Sequence, residues 1–159
     1  MRRLLALLVF GLAVGGGAVL AWRLLHDPRF AEAHSAVATV CAQHHYHFDR
    51  SPIWIERAVA ASQRATALGK DVSEVVVAES WILYAEDKYL DVISKMRGLI
   101  ERRPDTEGAY YLLGRALFAA GRFQEVADMA EAAIAASGGD YNVYVPIVNS
   151  LGALGKNDA

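Results

Sequence analysis

Residues 107–140, EGAYYLLGRALFAAGRFQEVADMAEAAIAASGGD, constrain the fold of this chain more than any other stretch. Their pattern predicts two short amphipathic helices joined by a tight turn at Gly121. In the first, Tyr110, Leu113, Gly114 and Leu117 recur at spacings of three and four, which places them on one helical face. Gly114 has no side chain, so a second helix can approach it closely. After Ala120-Gly121-Arg122, the residues Phe123, Val126, Ala127, Ala130, Ala133 and Ile134 form a second apolar stripe. Neither stripe can be hidden within one helix pair, so a neighbouring pair is required.

The neighbours are found one fixed step away on either side. The step back aligns Tyr89 with Phe123, Val92 with Val126, Met96 with Ala130, Leu99 with Ala133 and Ile100 with Ile134. The first helix of that copy is poorer, because Glu79-Ser80 stands where Leu113-Gly114 stands. The same step forward finds Tyr144, Ile147, Leu151 and Gly155-Lys156 echoing Tyr110, Leu113, Leu117 and Gly121-Arg122. The pattern resembles the tetratricopeptide repeat, a helix–turn–helix unit of about 34 residues. That family's spaced positions fall on Tyr110, Leu113, Gly114, Leu117, Gly121, Phe123, Ala130 and Ala133. Pro104 sits where the family places its proline, whereas Gly138 replaces it one repeat later. The resemblance implies an all-α, right-handed helical solenoid of about three helix pairs, the last incomplete. The repeats would span residues 31–72 (diverged), 73–106, 107–140 and a partial 141–159.

The segment DRSPIWIERAVAASQRATALGKD narrows the likeness to the first repeat of tetratricopeptide regions attached to bacterial nucleotide cyclases and some bacterial protein kinases. The DYNVYVPIVNSLGALGK ending is similar to theirs too. Neither a Gly-rich phosphate loop nor a catalytic Asp in a strand context is present, so no catalytic activity is carried over. No serine has a histidine at a spacing that would make it a nucleophile. The chain is therefore read as a non-enzyme.

Ahead of the repeats, residues 1–26 are expected to be a membrane anchor or signal segment, leaving residues 27–159 as the helical domain. The run from Leu4 to Trp22 is apolar without interruption, and nineteen residues just cross a hydrocarbon core of roughly 30 Å. An uncleaved anchor is favoured, because apolar character continues through Leu24 and Leu25 and Trp22 suits the membrane interface. The alternative is a secretory signal cleaved after Val19-Leu20-Ala21. Arg2 and Arg3 bias the N-terminus to the cytoplasm and the repeats to the periplasmic side of an inner membrane. The formal charge of −2 lacks the basic surplus of a nucleic-acid binder. One cysteine, Cys41, excludes an intrachain disulfide framework.

Local signals fix the remaining boundaries. Asp27-Pro28 opens a helix expected to reach about Phe48, and Pro52 opens the next, expected to end at Leu68. Gly69 is the expected left-handed terminator, and Asp71-Val72-Ser73-Glu74 the expected capping box. Pro146 should kink the last helix or delay its start. That helix, without a following partner, is expected to cap the preceding pair while leaving Val148, Ala153 and Leu154 as an apolar strip.

Two clusters bear on function. In the tetratricopeptide family the first helices of successive repeats line a concave groove. The resemblance therefore implies groove positions at Glu74, Val77, Trp81, Tyr84, Gly108, Tyr111, Arg115, Phe118, Asn142, Val145 and Asn149. Trp81, Tyr84, Tyr111, Arg115, Phe118 and Asn149 are the candidate partner-binding residues, since aromatics and arginine dominate binding hot spots. A protein or peptide could lay apolar side chains there, with Arg115 offering a bidentate contact to a carboxylate. The lysine–asparagine clamp of some relatives is absent, because Val77, Tyr111 and Val145 occupy the lysine positions. The second cluster gathers Cys41 with all five histidines of the chain, which lie between His26 and His47. His34, Cys41 and His45 share one helical face and carry metal-ligand chemistry. Their spacing matches no Cys/His zinc frame and lacks the cysteine pair of haem attachment, so no metal and no cofactor is expected. The main expectation is a membrane-tethered adaptor with a protein or peptide partner and no small-molecule substrate. The alternatives are a metal- or haem-handling accessory protein and a non-catalytic remnant of a cyclase-type signalling protein.

Overall fold

In the computed structural model, residues 28–155 are described, and their regular structure is entirely helical. Eight α-helices follow one another: α1 (Pro28–His47), α2 (Pro52–Gly69), α3 (Ser73–Ala85), α4 (Tyr89–Arg102), α5 (Ala109–Ala119), α6 (Phe123–Asp128), α7 (Ala130–Ala136) and α8 (Tyr144–Ala153). A 3-10 turn, Tyr141–Val143, leads into α8, so the last helix begins late, as Pro146 requires. The chain is all-α among the described residues. The predicted anchor over residues 1–26 lies outside them, as does the Asp27 cap. Among the described residues no helix is long and apolar enough to cross a membrane.

The period of the sequence recurs in the backbone. Asp87, Gly121 and Gly155 follow each other at equal intervals and have φ of +60°, +72° and +69°. The Lys88 N–H donates to the Leu83 carbonyl at 2.9 Å, and the Arg122 N–H donates to the Leu117 carbonyl at 2.8 Å. These paired bonds close a helix whose chain then turns back through a left-handed residue. Glycine adopts that conformation freely, and aspartate tolerates it better than most side chains. Core positions repeat at the same interval: Val75, Ala109 and Val143 are all buried, as are Val92 with Val126 and Leu99 with Ala133.

Each of α1 to α6 packs on the next helix, and α1 on α3, α3 on α5 and α6 on α8 are further contacts. The main core runs from Cys41 and Ala42 through Trp81, Met96 and Leu112 to Val143 and Ile147. Two smaller clusters, Ala31 with Ala65 and Val75 and Ala38 with Ala61 and Ala78, lie among α1, α2 and α3. Gly114 permits a close helix approach. A methyl group there would lie 2.8 Å from Pro146 Cγ and 3.1 Å from Met129 Cε, so α5 and α8 cross where only hydrogen fits.

Three local expectations are corrected. Gly69 ends α2 without a positive φ; its role is space, because a Cβ there would meet Val72 Cγ2 at 2.8 Å. The Asp71–Glu74 segment forms no capping box: Val72 is the N-cap of α3, and no side chain caps it. Ser73 instead accepts a hydrogen bond from Arg103 at 2.9 Å, tying the start of α3 to the end of α4. The second helix of residues 107–140 is also divided at Met129, whose φ of −91° and ψ of −2° separate α6 from α7.

Candidate functional site

α1, α3, α5 and α8 meet around Arg115. The helical spacing within α5 puts Tyr111, Arg115 and Phe118 on one face, and Trp81 and Tyr84 take the corresponding face of α3. The Arg115 guanidinium carbon stands 5.5 Å from the ring centre of Tyr46, 5.7 Å from Trp81, 5.1 Å from Tyr84 and 5.6 Å from Tyr111. Each aromatic face attracts the cation electrostatically. Arg115 Nη1 donates to the Tyr111 hydroxyl at 2.9 Å, while Nε and Nη2 both donate to the Tyr84 hydroxyl at 3.4 Å. The His47 ring nitrogen Nε2 lies 3.4 Å from Nη1.

Every one of these partners is neutral. Among the described residues no carboxylate forms an ion pair with Arg115. Burial opposes the arginine charge, but the hydrogen bonds to Tyr111 and Tyr84 outweigh it and hold its pKa above the ordinary value. Burial also raises the Tyr84 hydroxyl to about 12, so it stays protonated through the physiological range. The guanidinium is thus a permanent, half-buried charge, solvated by π-faces and hydroxyls rather than by an anion.

A pocket of about 340 Å³ opens beside it, lined by Tyr46, Tyr84, Arg115, Phe118, Ala119, Val145, Pro146 and Asn149. Its walls are mainly apolar, with Arg115 and the exposed Asn149 amide as the polar points. Larger clefts of about 480 Å³ and 780 Å³ lie at the helix turns around Gly108 and Gly69. Neither sets a cation among aromatic rings as this pocket does.

The structure sorts the six candidate residues into layers. Tyr84, Arg115, Phe118 and Asn149 line the pocket, and Tyr111 holds Arg115 from the side. Trp81 and Tyr84 are each only 3% exposed, so they are core residues of α3 rather than an open groove surface. Trp81 packs edge-on against Tyr84 at 5.6 Å and supports the cluster from beneath. Val77 is buried with them, whereas Val145 is exposed at the rim. Sequence reasoning missed Tyr46 and His47. One repeat length back from Trp81 lands on His47, so the period held the signal.

The other histidines and the cysteine do different things. Cys41 is buried in the core, the His45 Nδ1–H donates to the Ser51 carbonyl at 3.1 Å, and His34 borders an apolar hollow beside Phe30 and Leu68. His44 stacks on Trp54 at a ring separation of 4.1 Å. Among the described residues no group of three or more His, Cys, Asp or Glu side chains is placed to hold a metal ion.

Comparison of the chain with protein-family models, curated proteins and solved structures found no match.

Proposed function

We propose that the chain is a tetratricopeptide-like scaffold that captures an acidic segment of a protein or peptide partner at the Arg115 pocket. The observation that carries this reading is a half-buried guanidinium on a pocket wall whose described partners are all neutral. A partner carboxylate would supply the missing counter-charge through a charge-assisted hydrogen bond. Its adjoining apolar side chain would rest on Phe118, Val145 and Pro146.

The recurrence of left-handed residues and buried positions at one fixed interval supports a right-handed solenoid whose first helices carry the concave binding face. The apolar run from Leu4 to Trp22 supports a single-pass tether, and Arg2-Arg3 support an extracytoplasmic position for the helices. Tethering raises the effective concentration of the scaffold for partners at the same membrane.

The test is a photo-reactive amino acid placed at Asn149 of the full chain, with mass spectrometry of whatever peptide it captures. The reading predicts a discrete peptide containing Asp, Glu or a free C-terminus, lost in Arg115→Ala. Capture that is equally strong in Arg115→Ala would overturn it.

A further inference from the structure

His47 lies on the same site, reached from the opposite end of the sequence. It is in the last turn of α1, and its Nε2 faces Arg115 Nη1 at 3.4 Å across 68 residues of chain. In the neutral ring that nitrogen accepts the arginine N–H. Once protonated, both ring nitrogens become donors and the imidazolium becomes a second cation beside the first. Two cations this close repel unless an anion lies between or beside them.

We propose that His47 is a specificity-determining residue of the Arg115 site: its protonated ring joins the guanidinium in gripping a carboxylate, so that acidic partners are held more tightly as the pH falls. The inference rests on the Arg115 reading above and adds a pH dependence to it.

Among the described histidines, His47 is the one whose ring nitrogen faces Arg115. From α3 the site is faced by Tyr84, raised to about 12, and from α5 by Tyr111 and Arg115. On α1 itself Tyr46 lies edge-on to His47 at 5.0 Å, and Arg50, just beyond the helix, stands over Tyr46 at 5.2 Å. The carboxylates of this end have other partners: Asp87 meets Arg50 at 3.8 Å and accepts from the Tyr89 hydroxyl, and Asp49 accepts from the Ser51 N–H at 2.9 Å. His44 and His45 point into other contacts, with Trp54 and with the Ser51 carbonyl. Partial burial, and then the Arg115 charge, hold the His47 pKa below the ordinary imidazole value. The unliganded ring is therefore neutral at pH 7. A bound carboxylate reverses the balance of charge and draws the proton on, which by linkage makes affinity rise on acidification.

The probe is 3-(4-fluorophenyl)propionate, a carboxylate attached to an aromatic ring, followed by fluorine NMR on the full chain at constant ionic strength. Wild type should bind it about fivefold or more tightly at pH 5.5 than at pH 8, the order expected of one added charge near a partly buried anion. His47→Gln should bind with no gain on acidification, and Arg115→Ala should lose binding at every pH. If wild type binds equally at both pH values while Arg115→Ala abolishes binding, the His47 inference is overturned and the site stands. If His47→Gln keeps the gain, His47 is likewise the wrong residue. If wild type fails to bind at either pH, or Arg115→Ala binds as wild type does, the site reading falls and this inference with it.

Discussion

Gly114 of α5 faces Pro146 of α8 so closely that a methyl group on Gly114 would stand 2.8 Å from the proline Cγ. The contact joins α5 to α8 and holds Pro146, which also lines the pocket. Gly114→Leu should cost at least the roughly 1–3 kcal/mol typical of overpacking. Urea unfolding followed by circular dichroism checks this; an unchanged midpoint would show that the crossing has room to spare.

The turn at Gly121 isolates a backbone effect. Nothing lies within 4 Å of a Cβ added there, yet φ is +72°. Gly121→Ala should therefore cost about 1–2 kcal/mol, the penalty of the left-handed region alone. Gly121→Asn should cost less, since asparagine tolerates that region. Equal losses for the two variants would argue that something other than φ is at stake.

Trp81 and Phe118 should respond very unequally to truncation. Trp81 is buried beneath the cluster, so Trp81→Ala should remove about 3–5 kcal/mol of stability. Phe118 is 36% exposed at the pocket rim and packs on Phe123 at a ring separation of 5.2 Å, so Phe118→Ala should cost clearly less than Trp81→Ala. Paired thermal melts decide between this layering and an open groove carrying both rings.

Alkaline pH should weaken the fold. Burial raises Tyr84 to about 12 from 10.0, so the unfolded chain loses this proton first. Fewer protons on the unfolded state mean that stability falls as pH rises, here between about 10 and 12. Tyr89, whose hydroxyl donates to Asp87, is raised as well and adds to the same trend. Tyr84→Phe should flatten the decline over that interval, as measured by denaturant midpoints; an equally steep decline would place the cause elsewhere.

How far the sequence carried this picture depends on which signal each residue leaves. Helix positions and the repeat interval were legible, because stripes at spacings of three and four and a residue suited to positive φ leave marks in the chain itself. Tyr111, Arg115 and Phe118 share one face of α5 by their spacing, whereas grouping them with Asn149 of α8 followed only from the tetratricopeptide resemblance. The depth of Trp81 and Tyr84 was harder to read: α3 is buried almost all round, with α1, α2, α4 and α5 against it, and an apolar surface on every side has no periodicity to separate core from groove. Tyr46 and His47 were missed because α1 stops at His47, short of the place where a standard repeat would turn. The break at Met129 leaves no mark: alanine-rich sequence continues through it, and nothing in the structure explains it.

The central claim is that Arg115 is the anchor for an acidic partner. Its most direct test is the affinity of the peptide captured at Asn149, synthesised and titrated against the full chain and against Arg115→Ala. Truncating a true anchor typically costs at least about 2 kcal/mol, near thirtyfold in affinity. The account predicts a loss of that size with helical content intact, and a similar loss when the peptide's carboxylate is replaced by an amide. Wild-type affinity in a folded Arg115→Ala protein would contradict it.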